Sequence, residues 1–170
     1  MKWPSAWVLV AIGLVLNIMA ILVSSVVLDQ LSQEVSARDE QKNANSYAIQ
    51  LAWDKVETLE RKREFMLLHL DQNKIVSGEI DELLRGQLSP WVNQAVPPIQ
   101  QDNLATLMTL INQAQQHERD RIDGHYLANL SITETMAELN ERSARYKVFA
   151  LFLQIFGLAL ILARDLARKR

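Results

Sequence analysis

Two long apolar runs, one at each end of the sequence, constrain the fold more than any other feature. In the first, residues 7–28 are apolar apart from Asn17, Ser24 and Ser25. As a helix this run is roughly 33 Å long, which is enough to cross the hydrocarbon core of a bilayer. A cleaved signal peptide is the alternative, but the run is too long, its only preceding basic residue is Lys2, and no small-x-small cleavage site follows it. We therefore predict that residues 1–28 form an uncleaved N-terminal transmembrane helix.

The second apolar run, residues 146–163, is followed by a short basic tail at residues 164–170. The tail contains Arg164, Arg168, Lys169 and Arg170. Because the positive-inside rule places such clusters in the cytoplasm, we expect both termini to be cytoplasmic. Residues 29–145 would then lie in the periplasm or the extracellular space, and the protein would be a multi-pass protein of the cell (inner) membrane, with the lipid bilayer as its first partner.

The polar region between the two runs has the pattern of long helices. Apolar residues recur at alternating spacings of three and four over residues 29–70 and again over residues 104–145. Residues 71–103 contain turn signals, including Ser77-Gly78, Ser89-Pro90 and Pro97-Pro98. We predict an all-α fold, in which an antiparallel hairpin of two equally long helices is capped by short helices in residues 71–103. Each long helix is expected to continue into its transmembrane helix.

Polar residues interrupt the apolar seam of both long helices. They are Arg38, Lys42, Asn45, Arg63, Gln115, Glu118, His125 and Asn129. If they face the other helix, they set the register or line a cavity. If the repeat shifts by one residue at these points, they face water. Since one hairpin cannot bury much apolar surface, we expect a homo-oligomer, with a dimer that forms a four-helix bundle as the simplest case.

The sequence carries no motif for catalysis or nucleotide binding. Its five glycines form no phosphate-binding loop, and GxSxG, HExxH and EF-hand patterns are missing. Because the chain has no cysteine, thiolate metal sites, Fe–S clusters and cysteine nucleophiles are excluded. None of the three histidines follows a glutamate at the spacing that helical di-metal sites require. We predict no catalytic, cofactor-binding or metal-binding residue and no enzyme, and the interleaved acids and bases argue against a nucleic-acid partner.

The stretch from His117 to His125 is the densest group of possible metal ligands or pH sensors. Between the histidines it contains Glu118, Asp120 and Asp123. Arginines 119 and 121 lie among these acids at pairing distance, so a solvated and largely neutral helix face is the simpler interpretation.

A basic run in the first long helix supplies the candidate ligand-binding residues, Arg61 and Arg63. Guanidinium groups bind carboxylates through paired hydrogen bonds, so these two arginines could hold an acidic ligand. Glu60 and Glu64 flank the run, and ordinary surface charge is the alternative.

In the interior of the apolar runs, Asn17 and Gln154 are the two strongly polar side chains. Each lies near the middle of its run, so antiparallel transmembrane helices would bring them to similar depth, where they could bond to each other and stabilise helix packing. A lipid-facing or water-solvated amide is the alternative. Counted back in heptads from Leu28, Asn17 and Ser24 also fall on the stripe that continues into the outer helix.

Two transmembrane helices around an outer helical bundle resemble the sensory region of chemoreceptors and sensor histidine kinases. The resemblance is one of architecture, covers the whole chain, and assigns no ligand residue. It implies that the outer bundle receives a signal and passes it inward through small helix displacements. Only residues 164–170 follow the second run, which is too few for an output module, so we expect that the chain does not signal alone.

Three functions fit these features. The first is a non-enzymatic, sensor-like membrane subunit that oligomerises or contacts a partner membrane protein. The second is the ligand-binding input portion of a longer receptor. The third is a channel or transporter subunit, against which stands the lack of charged residues in both apolar runs beyond Lys147 at the start of the second.

Overall fold

The computed structural model describes residues 6–72, 78–92 and 94–168, and most of them are helical. In chain order the helices are α1 (Ala6–Leu22), a π-helix (Val23–Val27), α2 (Leu28–Gln72), α3 (Gly78–Leu88), a 3-10 turn (Ser89–Trp91), a second 3-10 turn (Gln101–Asn103) and α4 (Leu104–Arg168). No strand occurs among the described residues, so the all-α prediction is confirmed.

The chain folds as two compact units. The terminal unit combines Met1–Gln41 with Ser131–Arg170, and the central unit is Lys42–Leu130. Helices α2 and α4 each contribute residues to both units.

In the central unit, α2 and α4 pack in antiparallel directions. Asn45 bonds to Asn129, and Lys55 bonds to Glu118, so residue numbers rise along one helix as they fall along the other. Helix α3 and the segment after it complete an apolar core at one end of this pair. The buried members of the core are Leu59, Met66, Leu70, Leu84, Leu88, Val92, Val96, Ile99, Leu107, Leu110 and Ile111.

Side chains of α3 hold the irregular segment that leads to α4. Asp81 Oδ1 accepts a hydrogen bond from the Ile99 backbone N–H at 2.5 Å, and Arg85 Nε donates to the Val96 carbonyl at 3.0 Å. Bonds to charged groups are stronger than neutral ones. The bonds from Asp81 and Arg85 fix the segment so that the side chains of Val96 and Ile99 reach the core, where they are 5% and 1% exposed.

In the terminal unit, small residues bring α1 and the last part of α4 close together. A methyl group added at Gly13 would lie 2.6 Å from the Gly157 carbonyl oxygen, and one added at Gly157 would lie 2.7 Å from that of Gly13. Ala20 and Ala150 lie one heptad from these glycines and are both buried. Close approach through small residues is a common way for helices to pack in membranes.

The π-helix changes the repeat of buried positions in the terminal unit. Before it, Gly13 and Ala20 are buried one heptad apart. After it, Val35 is half-buried. Glu34, which lies two unbroken heptads after Ala20, is exposed. Because a π-helix closes its hydrogen bonds over one more residue than an α-helix, Val23–Val27 accommodates this shift.

The predicted stripe through Asn17 and Ser24 is therefore wrong at Ser24. Asn17 is half-buried, but Ser24 lies within the π-helix and is exposed. A count in heptads from Leu28 assumes a regular helix, and the extra residue breaks that assumption.

Two helical stretches, Trp7–Asp71 and Gln101–Ala163, contain windows long and apolar enough to cross a membrane. Only 11% and 17% of these windows are buried, which is unlike the core helices of a soluble protein. Large side chains that are more than half exposed include Trp7, Val15, Ile21, Val148, Phe152, Ile155 and Leu162. This exposure supports membrane association, and the orientation of the helices stays a prediction.

We predict that Gly157→Ala destabilises the protein, because the new methyl group would also lie 2.5 Å from Asn17 Nδ2. Overpacking of this kind costs about 1–3 kcal/mol. Gly124→Ala in the same helix is the matched control, since its methyl group meets nothing within 4 Å and alanine favours a helix by about 1 kcal/mol. Thermal unfolding of the detergent-solubilised protein, followed by circular dichroism, measures both. Equal midpoints for the two variants would show that α1 and α4 do not meet at Gly157.

Candidate functional site

The polar residues that interrupt the seam mostly face inward. Gln115 and Glu118 are buried, with 3% and 9% exposure, and Lys42, Asn45, Arg63, His125 and Asn129 are half-buried. Arg38 is exposed. The interpretation that a shifted repeat turns these residues to water is therefore wrong except at Arg38, and the interpretation that they set register or line a cavity fits the others.

One polar layer joins α2 and α4 through two asparagines and a histidine. Asn45 Nδ2 donates to Asn129 Oδ1 at 3.0 Å, and Asn45 Oδ1 lies 3.2 Å from His125 Nδ1. Because an amide oxygen only accepts, His125 Nδ1 carries the proton in this bond. Asn129 Nδ2 also reaches the Lys42 carbonyl at 3.4 Å. A shift of one helix along the other would leave these groups without their partners, so the layer favours a single register.

A second polar group is centred on the buried carboxylate of Glu118. Its Oε1 lies 3.4 Å from Lys55 Nζ on α2, and its Oε2 lies 2.8 Å from Arg121 Nη1 one turn along α4. Both oxygens therefore hold a cation, and one of the two cations comes from the other helix. Nearby, Gln115 Nε2 donates to Glu60 Oε2 at 2.9 Å and to the Val56 carbonyl at 3.3 Å.

Lys55, Glu118 and Arg121 border a cavity of about 410 Å³ in the central unit. It lies between α2, α4 and the segment after α3. Its described lining is Lys55, Leu59, Pro90, Trp91, Val92, Gln94, Leu110, Gln113, Ala114, His117, Glu118 and Arg121. The Lys62 ammonium lies 5.7 Å from the centre of the Trp91 ring, within the range of a cation–π interaction.

The predicted ligand residues Arg61 and Arg63 do not form one site. Arg61 is 72% exposed and pairs with Glu57 at 2.5 Å, and it borders a separate cavity of about 360 Å³ between α2 and α3. Arg63 pairs with Glu60, whose second oxygen is bonded to Gln115. Each guanidinium already has a carboxylate partner on its own helix, and the two arginines take part in different contacts.

Asn17 and Gln154, the predicted intramembrane pair, do not bond to each other in the part of the chain that the structure describes. Asn17 Nδ2 donates to the carbonyl of Gly13, one turn earlier, at 2.9 Å, and it packs against Gly157. Gln154 is exposed. The residue that α4 brings to Asn17 is thus Gly157, because glycine allows the backbone of α4 to approach the amide.

The stretch from His117 to His125 is divided among different environments. His117 and Glu118 border the larger cavity, His125 belongs to the asparagine layer, and Asp120 accepts a hydrogen bond from Gln116. In the described ranges, no group of three or more His, Asp or Glu residues is placed to hold a metal ion.

Sequence reasoning missed Lys55 and Trp91 as members of the cavity. The spacing of Glu118 and Arg121 predicts their pairing on one helix face. The contact of Lys55 with Glu118 links residues 63 positions apart, and no local pattern signals it.

The comparisons with known proteins give no relative. No protein-family model, curated protein or solved structure matches the chain. The function must therefore be argued from its own residues.

We predict that Asn45 and Asn129 contribute to stability as a coupled pair. Replacing one by alanine removes the bond between Asn45 Nδ2 and Asn129 Oδ1 from a half-buried layer and should cost about 0.5–1.5 kcal/mol. The double variant Asn45→Ala with Asn129→Ala should cost less than the sum of the single variants, by at least about 0.5 kcal/mol. Chemical unfolding of the four proteins closes the cycle, with the exposed Asn112→Ala as a control. Strict additivity would contradict the direct bond.

Proposed function

We propose that the chain is a non-enzymatic, two-span membrane protein whose central unit lies outside the cytoplasm and acts as a sensor-like module. Helix α1 and the apolar part of α4 would cross the bilayer, with both termini in the cytoplasm. The central residues 29–145 would extend into the periplasm or extracellular space as a helical hairpin.

The outward apolar side chains of the two spans carry this proposal. Val148, Phe152 and Ile155 are each more than 60% exposed, although they are large and apolar. Exposing such a side chain to water forgoes about 1.5–3 kcal/mol of burial. Lipid removes that penalty, while the small residues Gly13 and Gly157 on the inner faces keep the two spans together.

Helix α4 offers a route between an outer event and the membrane. It runs unbroken from Leu104 to Arg168 and carries both Arg121, at the large cavity, and Gly157, at the span crossing. A small rotation or displacement of this helix is the simplest way to pass a change in the central unit to the span. The recipient would be a second copy, a partner membrane protein, or both.

Exposed apolar residues on the central unit support the association step. Tyr47, Leu68 and Leu127 are more than 60% exposed. They lie outside the apolar runs, so lipid would not cover them in the proposed topology. Two helices cannot cover each other's outer faces, so these side chains suit contact with another protein.

Single-cysteine labelling tests the orientation, and the absence of native cysteines makes the background clean. In spheroplasts, a membrane-impermeant maleimide should label Asp123→Cys, which is exposed in the central unit, and should label Lys169→Cys only after lysis. Leu158→Cys, in the apolar part of α4, serves as the control and should stay unlabelled in both conditions. Labelling of Lys169→Cys before lysis, or release of the protein from membranes by alkaline carbonate, would contradict the proposal.

Cross-linking in native membranes tests association. We expect a short bismaleimide to cross-link the Leu127→Cys variant, either to a second copy or to another membrane protein. Asp120→Cys, exposed on the same helix but polar in its surroundings, is the matched control and should cross-link several-fold less. Equal yields at both positions would indicate random collision and remove the association step.

A further inference from the structure

The cavity of about 410 Å³ that Lys55, Glu118 and Arg121 border has an excess of positive charge. Lys55 and Arg121 contribute two cations, and Glu118 contributes the one carboxylate among its described lining residues. With histidine neutral, one positive charge is left over. The Lys62 ammonium beside Trp91 adds to the same sign of potential.

Both cations keep hydrogen-bond donors for a further partner. An ammonium has three N–H donors and a guanidinium has five. Lys55 uses one donor on Glu118 Oε1, and Arg121 uses one on Glu118 Oε2. Their side chains are 45% and 43% exposed, so an incoming anion can reach the remaining donors.

The rest of the cavity wall mixes apolar and polar side chains. Trp91 and Pro90 supply flat apolar surface beside the core residues Leu59, Leu110 and Val92, and the polar members are Gln94, Gln113 and His117. A volume of about 410 Å³ is at the lower end of the range for small-molecule sites. The wall and the cations together suit a small molecule with an apolar body and an anionic end.

Glu118 discriminates between kinds of anion. A zwitterion would bring its ammonium group to a cavity with two cations and a single carboxylate, and that carboxylate is already shared by both cations. A simple monoanion brings no ammonium group. The site should therefore favour a monoanionic acid over an amino acid of the same size.

We propose that this cavity binds a small organic monoanion with an apolar body, such as an arylacetate. Arg121 and Lys55 hold the anionic group, and Trp91 contacts the body. Since the ligand bridges a cation of α2 and a cation of α4, its binding changes the force between the two helices. This inference names the ligand class of the proposed sensor, but binding at this cavity does not depend on which side of the membrane the unit faces.

Calorimetric titration of the full chain in lipid nanodiscs tests the ligand class. The probes are phenylacetate, its neutral analogue phenylacetamide and the zwitterion phenylalanine. We expect phenylacetate to bind at least about tenfold more tightly than either comparison compound. Phenylacetamide lacks the negative charge that the two cations bind, and the ammonium group of phenylalanine would be unpaired. Equal affinities for phenylacetate and phenylacetamide would overturn the proposal. So would the absence of binding heat from phenylacetate up to a concentration of about 10 mM, which is roughly the weakest dissociation constant expected of such a site.

Two pairs of variants locate the binding. Arg121→Gln should weaken phenylacetate binding about 10- to 100-fold, whereas Arg119→Gln, exposed on the same helix and outside the cavity lining, should leave it unchanged. Phenylacetate should slow maleimide modification of Gln113→Cys, which lines the cavity, and not that of the neighbouring Asn112→Cys. Equal losses for the two arginine variants, or equal protection of the two cysteine variants, would place the ligand elsewhere. The labelling experiment on orientation is independent of all these outcomes.

Discussion

The structure depends on a repeat of inward-facing positions that α4 keeps along nearly its whole length. Its buried members, at spacings built from three and four, include Leu107, Ile111, Gln115, Glu118, Ile122, Ile132, Leu139, Ala150, Leu153 and Gly157. A pair of helices has only one interface, so each inward position matters more than in a larger core. That is why the polar members of the repeat have partners, such as Lys55 for Glu118 and the Val56 carbonyl for Gln115.

The size and polarity of the inward-facing residues change along α4. Near α3 the inward residues are large and apolar, and they close a core with Val96 and Ile99. In the middle they are polar and select a register through Asn45 and Asn129. At Gly157 the residue is the smallest possible, which lets the backbone of α4 approach Gly13 and Asn17 of α1 closely.

Much of this organisation follows from the sequence, and the exceptions have physical causes. Periodicity predicted the two long helices, since local spacing determines which residues share a helix face. It left open whether polar residues such as Gln115 and Asn129 face the other helix or water, because their partners lie far away in the sequence. It could not predict the π-helix, because an extra residue in one turn leaves no compositional mark at Val23–Val27. The sequence could not predict the cavity for another reason. Trp91 and Lys55 line the same cavity because of the path of the segment after α3, and that path depends on side-chain bonds from Asp81 and Arg85.

The π-helix gives the two ends of the chain unequal tolerance to changes in length. Losing one residue within Val23–Val27 would convert the π turn into an ordinary α-helical turn and need not disturb the inward set on either side. The same loss within α4 would rotate everything beyond it by about 100° and turn residues such as Gly157 away from α1. Insertions and deletions in the descent of this chain should thus collect at Val23–Val27 and be excluded from α4.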